Sequence, residues 1–314
     1  MTEALFGWPP PVLDPMGPYA EPVRTVAWAL SGMGALVTTL VVAALFVAWR
    51  GPPVWRARLG GQTSILVFGV ALPAVVLAAL LIWGLMLTAK LDRPAADGAM
   101  RVRVTGEMWW FRVQYLDPQG RVIAEDANEL HIPTGQPVAI ELASADVIHS
   151  FWVPHLSGKK DMIPGRTNRL TVQADRIGRY GGVCAEYCGR AHALMGMVVI
   201  AHAPDEFGRW WGARRAAAAT PKPDSAGFAL FTDSGCAACH TVDGTRAVGR
   251  TGPNLTNVAA RQTLGGGILP NNRGTMTGWV GHSQSIKPGN RMPNYDRLEP
   301  RQLQDIVTYL ETLK

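Results

Sequence analysis

Two stretches of the chain carry no charged residue: Thr25 to Trp49 and Ile65 to Leu87. As helices they would each rise roughly 35 Å, enough to cross a hydrocarbon core about 30 Å thick. Two such runs in tandem are hard to hide inside a soluble core. The segment between them, RGPPVWRARLGGQ, holds Arg50, Arg56 and Arg58 and no acid. Positive residues stay on the cytoplasmic side. The expected arrangement is therefore a transmembrane hairpin over residues 25–90, with helices at about 25–49 and 65–87 and both ends outside. That makes the Pro-rich residues 1–24 an extracytoplasmic segment and puts everything after about Lys90 outside a bacterial inner membrane. Pro73 falls inside the second run. Lipid tolerates a proline there if neighbours satisfy the freed carbonyl.

From Met100 the pattern changes. RVRVTGEMWWFRVQY, NELHIP, PVAIELAS, NRLTVQA and GMVVIAH are short, β-branched or aromatic and partly alternating, with turn signals at DPQG and PTGQ. This predicts an all-β sandwich or barrel, closed by a short amphipathic helix at PDEFGRWWGARR, over residues 100–212. Residues 213–224 read as a linker, on the strength of the stretch AAAATPKPDS that begins at Ala216. A third module, 225–314, passes through CAACH and Gly-rich loops and ends on EPRQLQDIVTYLETL, where Leu303, Ile306, Val307 and Leu310 share one helical face. The net charge is +6, but its basic residues are scattered and no nucleic-acid motif accompanies them, so nucleic acid is not an expected partner.

The four cysteines come as two local pairs, Cys184 with Cys188 and Cys236 with Cys239. Any even count permits disulfides, yet both spacings suit a metal or cofactor. CAEYCGRAHALM, residues 184–195, packs two thiols, His192 and Met195 into one loop, with Glu186 between the cysteines. Zinc on two cysteines and two histidines would need only His149 in addition, but zinc does not usually recruit a methionine. Thiolate, imidazole and thioether together suit copper. A mononuclear blue-copper site needs one cysteine, whereas two suit a pair of coppers bridged by thiolates.

DVIHSFWVPHLSGKKDMIPGR followed by YGGVCAEYCGRAHALMGMVV resembles the binuclear copper (CuA) domain of subunit II of haem–copper oxidases, over roughly residues 12–212. The resemblance implies a cupredoxin-like fold in which Cys184 and Cys188 bridge two coppers. His149 and Met195 would complete one copper, and His192 with the Glu186 backbone carbonyl the other. The Glu186 carboxylate would face subunit I and a magnesium ion. GEMWWF resembles the family's aromatic cluster, which makes Trp109 the surface point where electrons come in, with Trp110 and Phe111 beside it.

C-x-x-C-H, here Cys236, Cys239 and His240, is the attachment motif of c-type haem. Met276, Met292 and His282 compete for the sixth iron position. IKPGNRMPNY resembles the distal loop of class I cytochromes c and points to Met292, while TGPNL resembles the loop whose proline carbonyl, here that of Pro253, accepts from the proximal His240. His131, His155 and His202 match no site.

The expected whole is a multi-domain membrane protein: a two-helix hairpin, an all-β cupredoxin-like domain and an all-α class I cytochrome c domain. It resembles subunit II of a caa3-type oxidase. That implies electrons passing from an external donor, a cytochrome c or a membrane-bound protein, through covalent haem c and CuA to subunit I and oxygen. The alternatives are the electron-input subunit of a CuA-containing nitric oxide reductase and a copper-delivery module. The haem motif argues against the second, and the intact copper ligands exclude a quinol oxidase. One departure from the family stands out. Where many members carry an acid at the start of the second helix this chain has Leu66, and no Asp or Glu lies between Pro52 and Lys90.

Overall fold

The computed structural model describes residues 10–92, 94–219 and 225–314. Residues 21–93 form one compact unit; residues 10–20 and those from 94 onward form another.

In the first unit, Glu21–Arg50 (α1) and Gln62–Leu91 (α3) are helices of 30 residues, joined through the short helix Pro53–Leu59 (α2). Both long helices outrun the uncharged stretches that revealed them. The run of apolar residues marks the lipid core, while the backbone winds on through polar end residues that favour the helix. Glu21 lies in the first turn of α1, and Arg50 and Lys90 lie in last turns, each matching the helix dipole. No residue of the membrane-crossing windows is buried. Ahead of Pro73 the helix widens into a π turn over Val67–Ala71, and the Leu72 N–H reaches back to the Val67 carbonyl. A wider turn makes room for a ring that can neither donate nor sit over the preceding carbonyl. Leu66 is exposed on this helix.

The second unit begins with a β-sandwich. Among the described residues, its two five-stranded sheets are ordered β3-β2-β1-β5-β8 and β4-β10-β9-β6-β7. The strands are Met100–Glu107 (β1), Trp110–Leu116 (β2), Val122–Ala127 (β3), Glu129–Pro133 (β4), Val138–Ser144 (β5), His149–Trp152 (β6), Lys160–Met162 (β7), Asn168–Val172 (β8), Gly178–Cys184 (β9) and Gly196–His202 (β10). Alternate residues turn inward, as the two-residue strand period requires: Val102 and Val104 from β1, Phe111, Val113 and Tyr115 from β2. Phe111 of one sheet meets Phe151 of the other edge to face, centroids 6.4 Å apart. The pairings of β1 with β5 and of β4 with β10 are parallel.

Pro204–Ala219 (α4) seals one flank of the sandwich: Trp210 and Trp211 lie over Tyr115. This helix runs into the segment expected to be linker. Alanine has the highest helix propensity, so the alanine run extends the helix; residues 220–224 of the expected linker, like residues 1–9, lie outside the described residues. The three unassigned histidines have structural partners. His131 bonds His202 at 2.8 Å and stacks on Trp210, and His155 donates to the Asp14 carbonyl, holding the N-terminal segment on the sandwich.

The third module packs Ala226–Asp233 (α5), Arg273–Ile286 (α6) and Pro300–Glu311 (α7) around one apolar cluster. Ser225 caps α5 by accepting from the Phe228 N–H. Ile306, Val307 and Leu310 are buried, Leu303 packs beside them, and Tyr309 closes on Phe228 and Phe231.

The Phe111–Phe151 contact ties the two sheets together. Phe151→Ala is expected to destabilise the β domain by about 3–5 kcal/mol, read from thermal unfolding of the detergent-solubilised chain. An unchanged transition would mean that the sandwich core does not depend on this pair.

Candidate functional site

β6 opens on His149 and β9 ends on Cys184, with Phe151 and Cys184 paired across the ladder. Residues 185–195 then loop back to β10. Three strand ends therefore deliver soft ligands to one edge of the sandwich. The Cys184 and Cys188 sulfurs are 3.7 Å apart, and both thiols are free. His149 Nδ1 lies 3.8 Å from Cys184 Sγ, and the Glu186 carbonyl oxygen 3.3 Å from the same sulfur. His192 Nδ1 and Met195 Sδ approach Cys188 Sγ at 3.5 and 3.8 Å. All six residues named from the sequence meet here. The Glu186 carboxylate turns outward instead and pairs with Lys159.

His149 is aimed by Asp146. Its Nε2–H donates to Asp146 Oδ1 at 2.8 Å, leaving Nδ1 toward the thiols. Gly106 permits this, since a Cβ there would stand 2.7 Å from the imidazole Cδ2. A hydrogen bond shared with the Cys188 thiol, together with His149, draws Cys184 well below the usual thiol range against its burial. Cys188 moves the other way, because a second thiolate would face the first and burial adds to the penalty. Burial works against a charged His149, but Cys184 and Asp146 outweigh it and raise its pKa. A buried pair of thiols that resists carrying two negative charges is a donor set suited to cations, and its sulfur, imidazole and thioether chemistry fits copper.

The second cluster lines a cavity in the third module. Cys236, Cys239 and His240 face Met276 and Met292 across apolar walls that include Phe231 and Trp279. His240 Nδ1–H donates to the Pro253 carbonyl at 2.8 Å, which leaves Nε2 unprotonated as a ligand atom. Burial also lowers the His240 pKa, keeping the ring neutral. Gly252 gives that ring its space, since a Cβ there would lie 2.6 Å from Cε1. Both cysteines are free thiols, so the set fits a thioether-linked haem. His282 is exposed at a kink in α6 and is absent from the lining. Met276 is part of the apolar core, whereas Met292 is half-buried on a pinned loop: its carbonyl accepts from Ser283 Oγ at 2.8 Å and its N–H donates to Asn290.

Trp109 stands between the clusters. Its indole N–H donates to the Cys188 carbonyl at 2.9 Å, and its side chain lines the haem-module cavity. Only 8% of it is exposed, with Lys287 and Gly289 of the third module against it.

A "Cytochrome c oxidase subunit 2" of Alkalihalophilus pseudofirmus is 33% identical over 315 positions, spanning 96% of this chain and 90% of the relative. The chain belongs to the cytochrome c oxidase subunit II family. The family model described as "Cytochrome C oxidase subunit II, periplasmic domain" matches residues 103–202, and that described as "Cytochrome c" matches residues 225–314. The protein of the same name from Bacillus sp. strain PS3 is 30% identical, covering 82% of this chain and 76% of its own length. The solved periplasmic domain of subunit II of cytochrome oxidase (CoxB) from Bradyrhizobium japonicum is 28% identical, covering 39% of this chain and 96% of that one, with a TM-score of 0.36. This subunit II is thus part of an oxidoreductase complex with partner subunits. It is membrane-anchored with an extracellular domain, and its two domains imply copper and haem c. These relatives are oxidase subunits, so nitric oxide reduction is not favoured.

Sequence reasoning passed over Asp146 and the residues that join the modules. A readable signal existed for the first: it lies three positions before His149, and ligating histidines commonly lean on a carboxylate. Asp146→Asn is expected to weaken copper loading about 10–100-fold while haem attachment is unchanged. Anaerobic copper titration of the chain checks this; undiminished affinity would show that Asp146 does not orient His149.

Proposed function

We propose that this subunit is the electron-input arm of a caa3-type terminal oxidase in a bacterial inner membrane. Both its ends and both redox domains lie on the periplasmic side, and it feeds electrons from an external donor to subunit I, where oxygen is reduced to water. The observation that carries the reading is the position of Trp109, bonded to the Cys188 carbonyl and forming a wall of the cavity that holds Cys236, Cys239 and His240.

When bound, haem c and a binuclear copper centre would supply reversible one-electron chemistry. Cys236, Cys239, His240 and Met292 would hold the haem. Cys184, Cys188, His149, Met195, His192 and the Glu186 carbonyl would hold the copper. Protein donors would fill the cluster without leaving a position for substrate, unlike a catalytic metal site, an arrangement that favours transfer of charge over bond making. Trp109 offers an aromatic path between the clusters. The outward Glu186 carboxylate is the group that would face subunit I and a magnesium ion. With Leu66 in place of an acid, the entrance of any proton channel of subunit I at that helix must be supplied elsewhere.

Cys184→Ser or Cys188→Ser is expected to abolish the electron-spin signal shared between two coppers while leaving the haem spectrum intact. A signal still spread equally over two metals in either variant would sink the copper assignment. For the haem, Met292→Ala is expected to keep covalent haem, lose the methionine–iron charge-transfer band and lower the potential, since a thioether ligand raises it. Survival of the band in Met292→Ala with its loss in Met276→Ala would transfer the role to Met276.

A further inference from the structure

Two histidines that neither ligand cluster uses, His131 and His202, face each other on the flank of the sandwich that α4 covers. They come from neighbouring parallel strands, β4 and β10. His131 Nδ1 and His202 Nε2 lie 2.8 Å apart, and the two rings are within 13° of parallel. Trp210 of α4 stacks on His131 with centroids 4.1 Å apart, and on His202 at 6.1 Å. His131 is buried and His202 half-buried. The backbone around them is pinned: the His131 N–H donates to the Tyr115 hydroxyl at 2.9 Å, and the Thr134 N–H donates to the His202 carbonyl.

Whichever nitrogen donates, a hydrogen bond between two imidazoles takes one proton and no more. The charged groups around the pair fit that number. From β4, the fully buried Glu129 carboxylate lies 3.7 Å from His131 Nε2. Its Oε2 has no hydrogen-bond partner among the described residues, while Oε1 accepts from the Gln262 and Thr263 N–H groups. From β3, buried Asp126 acts on His131 and is itself paired with Arg214 of α4 and Arg261 of the third module, at 2.6 and 2.7 Å. β2 presents the Tyr115 hydroxyl, and α4 adds Glu206, whose charge acts on His202. One imidazolium therefore has acids on the His131 side. A second would leave two cations facing each other at hydrogen-bond distance with no acceptor between them. Burial and the charge of His131 oppose protonation of His202, Glu206 offsets part of this, and the His202 pKa is lowered.

We propose that the His131–His202 pair is an acid-sensitive clasp for α4, which grips the helix through Trp210 while the pair shares one proton and releases it when a second proton enters. The incoming proton takes the lone pair of the nitrogen that had accepted the hydrogen bond, so one N–H···N contact becomes two N–H groups in repulsion. The rings must part, and Trp210, stacked on both, loses its platform. Because α4 leads into the segment that joins the two redox modules, the clasp makes that junction responsive to acid. The inference goes beyond the electron-relay reading and does not rest on it. Its pH window follows from linkage. Once α4 opens, His202 is freed toward the ordinary histidine value of about 6.5. The open state then binds more protons than the closed one, so the grip is full above about pH 6.5 and weakens as pH falls below it.

Hydrogen exchange tests this on the whole chain in detergent with both cofactors loaded, read by peptide mass spectrometry and corrected for the intrinsic pH dependence of exchange. Local opening of α4 is expected to be flat from about pH 8 to about pH 6.5, then to rise by up to about tenfold per pH unit, the slope of one proton. Opening of α6 should stay flat over the same range. In His202→Gln and in His131→Gln, whose amides take up no proton, the α4 profile should lose its slope. A flat wild-type profile overturns the proposal, even if a variant fails to fold. So does a slope that persists in both variants, or one that α6 shows in equal measure, which would mark general loosening rather than a clasp.

Discussion

Trp109 is held at both ends, and the two redox modules meet through that restraint. Its indole N–H is bonded to the carbonyl of a copper-loop cysteine, and its own carbonyl receives the buried ammonium of Lys287. Moving the tryptophan would disturb the Cys188 backbone on one side and leave a buried cation short of an acceptor on the other. Burial pushes the Lys287 ammonium down to about 7, with nearby Cys188 offsetting only part of that, so the lysine needs both of its carbonyl partners. The aromatic side chain is thereby fixed against the copper loop and along the wall of the haem cavity.

The two ligand clusters share a design. Each presents free thiols and a histidine whose far nitrogen is committed to an oxygen: Asp146 for His149, the Pro253 carbonyl for His240. Each also depends on a glycine, Gly106 or Gly252, whose missing side chain lets the ring take its place. Tautomer and ring angle are therefore set by the protein's own contacts.

Much of the site was legible because its chemistry is local. Five of the six copper-cluster residues lie within 184–195, and the haem anchors are adjacent in Cys236–His240. Local spacing survives any tertiary arrangement, so a linear reading could find it. The membrane helices were legible in their apolar centres and missed at their ends, where backbone winding continues past the lipid-facing run. The linker was misread for a related reason: alanines look featureless in a pattern of polarity but extend a helix by propensity.

The sequence by itself determined the modules, their order and the kinds of ligand each carries, because hydrophobic periodicity and metal-ligand spacing are written in neighbouring residues. Only the tertiary structure decided how the modules meet. Asp126 finds Arg261 across 135 positions, and Lys287 finds the Trp109 carbonyl across 178. No periodicity connects residues so far apart, and each of them read alone is an ordinary surface charge. Their meaning arises when folding removes water from both partners at once, which turns scattered charges into a fixed interface around a buried tryptophan.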